Sequence, residues 1–294
     1  MPDQLSTASA PSAGIAIAAA VTTDLVREIR DRHDLSPVAT AAVGRLTSGA
    51  VLLAAGLKGR ERISLQVASD GPIGGLLADA WLLDESTVGA RGYARNPHVD
   101  LPLNARGKFD VASALGSGSL HVMKTHDLGR PYTGVVPLLS GEIGEDIALY
   151  LLRSEQIPSA VALGVLADPG GVVASGGIIA QVLPGADERV VFVLDRRARA
   201  IPPVTQLLRE GADTDALIRE IAGDLALHEH RRLDVTFACL CSRKKVEAAL
   251  IGLGAEDLRR MASERERTEA SCEYCGRSYG FSSNELLTLS SQVG

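Results

Sequence analysis

The stretch SPVATAAVGRLTSGAVLLAAGLKG, residues 36–59, constrains this chain more than any other. Ser36 can accept from the free amides of a first helical turn, and Pro37 suits the position after it. The body that follows is Ala, Leu and Val almost all round, with small residues that permit close approach. A helix apolar on every side has no face to give to water and must lie between layers. Arg45 interrupts the run, which argues against a membrane span. Around it stand strand-like pieces broken by glycines: RISLQVAS (62–69), GSLHVMK (118–124) and GVVASGGIIAQVL (171–183). Strands and helices do not alternate regularly enough for a doubly wound sheet. The expected class is α+β, a layered core with a sheet packed over buried helices. Aromatics make up only 3% of the chain, so Ala, Val, Leu and Ile must fill that core.

Charge divides the remainder. Residues 1–194 carry 35 charged side chains, whereas the 76 residues 195–270 carry 28, balanced in sign. Such a shift marks a boundary. In the charged part, PPVTQLLREG and DTDALIREIAGDL read as short helices with a proline start, a glycine stop and narrow apolar stripes such as Leu217, Ile221 and Leu225. Helices of this kind depend on a neighbour for stability. VVFVL (190–194) fits strand and helix equally. Residues 1–13 are rich in Ser, Ala and Pro and are expected to be a disordered tail.

The chain holds four cysteines, at 239, 241, 272 and 275. In LDVTFACLC (233–241) every second residue is apolar or Cys, so a strand would point both sulfurs to one side. Ser242 follows as a helix cap, and RKKVEAALIGLG carries apolar residues at helical spacing. Cys241 thus precedes a helix start beside Arg243, Lys244 and Lys245, a setting that favours thiolate. The second pair is CEYCG (272–276), where two thiolates can clasp one metal in a tight turn and Gly276 tolerates a positive φ. Two close pairs that use every thiol predict one tetrahedral zinc on Cys239, Cys241, Cys272 and Cys275, with no open position for catalysis. Structural zinc typically supplies on the order of 10–16 kcal/mol in small finger peptides, so a module with few large apolar residues should depend on it. A permanent fold element and a redox switch that loses zinc both remain open at this point.

Other signals carry less. The net charge of −6 argues against a nucleic-acid partner. GPIGGL (71–76) and LGSGSL (115–120) lack the dinucleotide and P-loop spacings, so no nucleotide is expected. HEH (228–230) lacks the spacing of H-E-x-x-H, and His121 and His126 read as structural histidines. Ser154 has no partnered base in view, so no enzyme activity is expected. GIAIAAAV (14–21) lacks the basic flank of a signal peptide, which suggests a cytoplasmic protein with no membrane partner.

FACLCSRKKVEAAL and CEYCGRSYGF, about thirty residues apart, resemble the C-terminal domain of the heat-shock protein 33 family (HslO type). HDLSPVATAAVGRL, GRPYTGVVPLLSGEIGEDIALYLLRSEQIPSAVALGV and SGGIIAQVLPGA resemble its core segments. The resemblance implies a redox-regulated, ATP-independent holdase that binds unfolding client proteins. It implies a core over 14–186, a helical linker over 187–235 and a zinc redox domain over 236–294. It also implies zinc in the reduced, inactive form, Cys239–Cys241 and Cys272–Cys275 disulfides in the active form, and a homodimer on activation. The alternative of a different class is a constitutive zinc-ribbon protein that binds nucleic acid or a protein partner.

Overall fold

The computed structural model describes residues 1–105, 107–125, 131–168, 170–187 and 189–293; His126 lies outside them. The chain divides into two compact units, Met1–Ala238 and Cys239–Gly294. The class is the expected α+β.

In the first unit, alternating side chains on ten strands build one sheet between two sets of helices. The strands are β1 (Gln4–Ala10), β2 (Ile15–Val21), β3 (Arg62–Ser69), β4 (Leu76–Leu82), β5 (Thr87–Ala94), β6 (Gly118–Thr125), β7 (Tyr132–Pro137), β8 (Ser159–Asp168), β9 (Gly171–Val182) and β10 (His228–Phe237). They lie in the order β7-β6-β3-β4-β5-β10-β1-β2-β9-β8. The β5–β10 pairing is parallel, and the other strand pairings described are antiparallel. The helices of this unit are α1 (Thr23–His33), α2 (Pro37–Leu53), α3 (Val111–Leu115), α4 (Gly144–Ser154), α5 (Arg189–Ala200), α6 (Val204–Arg209) and α7 (Thr214–Ala222).

Helix α2 is the all-round apolar segment, and it is enclosed as its composition requires. Ser36 Oγ accepts from Ala39 N at 3.3 Å, and Val38, Val43, Leu46, Val51 and Leu52 are all buried. The helical run Pro37–Gly56 is long and apolar enough to cross a membrane by composition, yet 83% of its most apolar window is buried inside the protein. Close approach depends on Gly44, where a β-carbon would stand 2.7 Å from Val165 Cγ2 and 2.8 Å from Val26 Cγ1. Beside it, the buried hydroxyls of Thr22, Ser48 and Ser175 satisfy one another, with Thr22 Oγ1 2.7 Å from Ser48 Oγ and 2.9 Å from Ser175 Oγ.

The half of the sheet around β1, β2 and β9 is apolar on both faces. Leu5, Ala18, Ala20 and Ile179 join the cluster of α1 and α2. Their alternates Ala8, Ile15, Ile17, Ala19, Ile178 and Ala180 join a second cluster with Leu194, Val204, Leu217, Ile218 and Ile221 of α5, α6 and α7. The charge-rich helices therefore form the second covering layer of this half.

Two expectations need correction. Residues 1–13 are not a disordered tail: β1 lies inside the sheet, bonded to β2 on one side and β10 on the other, with Leu5 fully buried. Asp3 adds a further anchor, accepting from Asp24 N at 3.1 Å and Leu25 N at 2.6 Å at the start of α1. Nor is 187–235 helical throughout. The helices end at Ala222, and the segment returns as β10, whose Leu233 and Val235 face the core while Arg232 and Asp234 stay outside. The ambiguous VVFVL lies within α5.

Candidate metal centre

The second unit has a small core. Helices α8 (Arg243–Ile251), α9 (Ala255–Glu264) and α10 (Ser283–Ser290) pack with the hairpin of β11 (Arg267–Ser271) and β12 (Ser278–Ser282). Among the described residues, Leu250, Leu258, Phe281, Leu286 and Leu289 form its buried cluster. Arg243 stacks on Phe281, 4.4 Å from the ring centroid, and pairs with Glu285 at 2.7 Å.

All four cysteines meet at one point of this unit. Strand β10 stops at Phe237, so Cys239 and Cys241 lie beyond it in an irregular segment that leads into α8. The expected strand alternation does not reach the sulfurs. Ser242 does cap α8, accepting from Lys245 N at 3.3 Å. Cys272 and Cys275 sit at the two sides of the turn between β11 and β12. There Cys272 O accepts from Cys275 N at 3.3 Å and Gly276 N at 2.9 Å, and Gly276 takes φ +69°, the left-handed conformation that its lack of a β-carbon permits. Ser278 to Ser282 then pair back on β11, which fixes the turn.

The four sulfurs lie within 4.8 Å of one another. Cys239 Sγ is 3.7 Å from Cys272 Sγ, and Cys241 Sγ is 3.4 Å from Cys275 Sγ. A tetrahedron with zinc–sulfur bonds of about 2.3 Å has sulfur–sulfur edges of about 3.8 Å. The donor set thus fits a tetrahedral ion, and four thiolates with no carboxylate suit zinc or another thiophilic metal. Burial pushes the Cys272 thiol up, and pushes Cys275 up to about 12. Removing two sulfurs from water penalises their anions, a penalty that a bound cation would offset.

One neighbour was not legible in the sequence. Tyr279 donates its hydroxyl to Cys241 Sγ at 3.1 Å, and that bond to sulfur holds the phenol pKa above its ordinary value. Such a contact orients a ligand sulfur from outside the ligand set. Only its place seven residues after Cys272 could have suggested it. His121 lies in the first unit on β6, where Ser119 Oγ is 2.8 Å from its Nε2.

Known proteins resemble this chain over nearly its whole length. The family model described as Hsp33 protein matches residues 3–282. A 33 kDa chaperonin of Trichormus variabilis is 44% identical over 293 residues, 98% of this chain and 96% of the relative. One from Desulforamulus reducens is 39% identical over 294 residues, covering 100% and 99%. Among solved structures, the 33 kDa chaperonin (heat shock protein 33 homolog) of Thermotoga maritima superposes with a TM-score of 0.90. It is 35% identical, with 99% of each chain covered.

Proposed function

Since this chain belongs to the Hsp33 family of chaperones, we propose that it is a redox-regulated, ATP-independent holdase, silent when reduced and active after oxidation. The observation that carries this reading is the convergence of all four cysteines in a unit with only five buried apolar side chains in its cluster. Cys239, Cys241, Cys272 and Cys275 would hold one zinc per chain, which would supply most of the order of that unit. The protein is read as cytoplasmic, where thiols start reduced, and as neither an enzyme nor a binder of nucleotide, nucleic acid or membrane.

Oxidation acts on the ligands themselves. A thiolate of one pair attacks the O–O bond of a peroxide, which leaves a sulfenic acid and releases hydroxide. Its partner thiolate then displaces a second hydroxide as the S–S bond closes, a loss of two electrons per pair. The disulfides are Cys239–Cys241 and Cys272–Cys275. With their sulfurs consumed, these residues can no longer hold an ion, and the unit loses its order. The weak helices α5 and α6, which each bury a single side chain (Leu194 and Val204), would melt with it. That exposes the second face of β9 and β8, where Ile178 and Ala180 lie. Unfolding clients, and a second activated copy in a homodimer, would cover this apolar face.

The test is suppression of client aggregation by the full chain. Reduced protein loaded with about one zinc should be inactive, and peroxide-treated protein should be active as zinc appears in solution. Equal activity in both states would overturn the switch.

A further inference from the structure

β10 occupies an unusual place in the sheet. It joins the two halves, pairing in parallel with β5 through Asp234–Phe237 and antiparallel with β1. Its last sheet bond, Ala238 N to Ala90 O at 3.0 Å, lies one residue before Cys239. On its other side, Arg232 pairs with Asp215 of α7. The strand therefore runs from its pairing with α7 directly into the unit that the proposed activation disorders, and the inference rests on that reading.

Its hold is uneven, short toward β5 and interrupted toward β1. Four residue pairs bind it to β5, and its ladder to β1 is broken by a register shift at Thr7/Ala8 opposite His230. Leu233 and Val235 are its buried side chains, and Phe237 is half-buried under the Arg32 guanidinium, 4.4 Å from the ring centroid. His228, Glu229, His230, Arg232, Asp234 and Thr236 are exposed. Its neighbours are better anchored: β1 keeps its full pairing with β2, and β5 its full pairing with β4.

We propose that β10 is a removable strand, and that the slot it leaves between β1 and β5 is a client-binding site for an extended polypeptide segment with apolar residues at every second position. Once β10 departs, Gln4–Ser9 and Thr87–Ala90 present unpaired backbone donors and acceptors on facing edges. Burying such groups without partners is costly, so the slot takes another strand. Backbone bonds to both walls give affinity without sequence selection, which suits a site that must accept many unfolded chains. The vacated places of Leu233, Val235 and Phe237 ask only for apolar alternates.

The experiment uses the full chain and a labelled synthetic peptide of residues 228–238. Activated protein should bind the peptide, and the peptide should displace a held client; reduced, zinc-loaded protein should not bind it. The same peptide with Leu233→Asp and Val235→Asp should bind on the order of tenfold or more weaker, because each change loses a buried aliphatic side chain. Hydrogen exchange on the same samples should show β10 amides losing protection on oxidation, and β1 and β5 amides regaining it when peptide is added. Oxidised protein that holds clients while β10 stays protected overturns the slot and leaves the holdase reading intact. Failure to bind the peptide, or equal binding of the Asp-substituted peptide, also overturns it. An oxidised protein that frees β10 and binds the peptide, yet fails to protect a client, sinks the holdase reading and overturns the slot's role toward clients with it.

Discussion

Asp3 shows how a single side chain ties the least recognisable segment to the core. Its carboxylate lies buried at the start of α1, where two backbone amides donate to it, yet burial outweighs them and raises its pKa from 3.8 to about 6. Folded protein therefore keeps a proton through a range where unfolded chain has lost it. The stabilisation is complete below pH 3.8 and is lost as pH rises through 6. Between pH 4.5 and 7 this group should remove about 2 kcal/mol from the unfolding free energy. Asp3→Asn should abolish that part of the slope. Urea unfolding followed by the fluorescence of Trp81, the chain's one tryptophan, reports the first unit. The difference between wild type and variant cancels other titrations, and parallel pH profiles would refute the assignment. A second residue-scale expectation concerns pairing. The approaches of 3.7 Å and 3.4 Å run between the C-x-C and C-x-x-C pairs, as any edge of a tetrahedron can. Once the ion is gone, chain proximity favours the near neighbours. Peptide mapping of oxidised protein should recover Cys239–Cys241 and Cys272–Cys275, and a majority of crossed links would reject that pairing.

At the scale of elements, structure set by local pattern is legible in the sequence, and structure set by distant partners is not. The capped, all-round apolar helix α2 and strands β3, β6 and β9 announce themselves through their own periodicity and turn residues. The cysteine cluster was legible because metal ligands must be particular residue types at short spacings. β1 was not, because QLSTASA has a single large apolar residue, and its partner β10 follows more than 200 residues later. Small side chains that look like a loose tail are what lets β1 fit between covered faces. For β10, the charged outer face read as solvated linker, although alternation at Leu233, Val235 and Phe237 marked a strand; what it could not show was where that strand ends. The same reasoning gives a prediction for α5. This helix leaves Phe192 70% exposed and buries Leu194 alone. Amides of α5 and α6 should exchange faster after oxidation, while those of α2 keep their protection. Unchanged exchange in α5 and α6 of an active, oxidised sample would contradict linker melting.

For the whole molecule, the two units differ in what holds them together. Met1–Ala238 has two apolar clusters on either side of its sheet, including α2, and can keep its core without help from metal. Cys239–Gly294 has one small cluster and four converging thiols. Loss of order should therefore begin in the second unit and spread only as far as the first unit is weak, to α5, α6 and β10. On this account the second unit restrains the chaperone and does not itself hold clients. A chain ending at Ala238 should suppress client aggregation with no oxidant, whereas intact reduced protein should not. Its Trp81 fluorescence should show a cooperative unfolding transition, which separates a folded, unrestrained first unit from a collapsed one. If the shortened chain unfolds cooperatively but leaves clients to aggregate, the client surface must include residues beyond Ala238. The second unit would then be part of the binding site and not merely its latch.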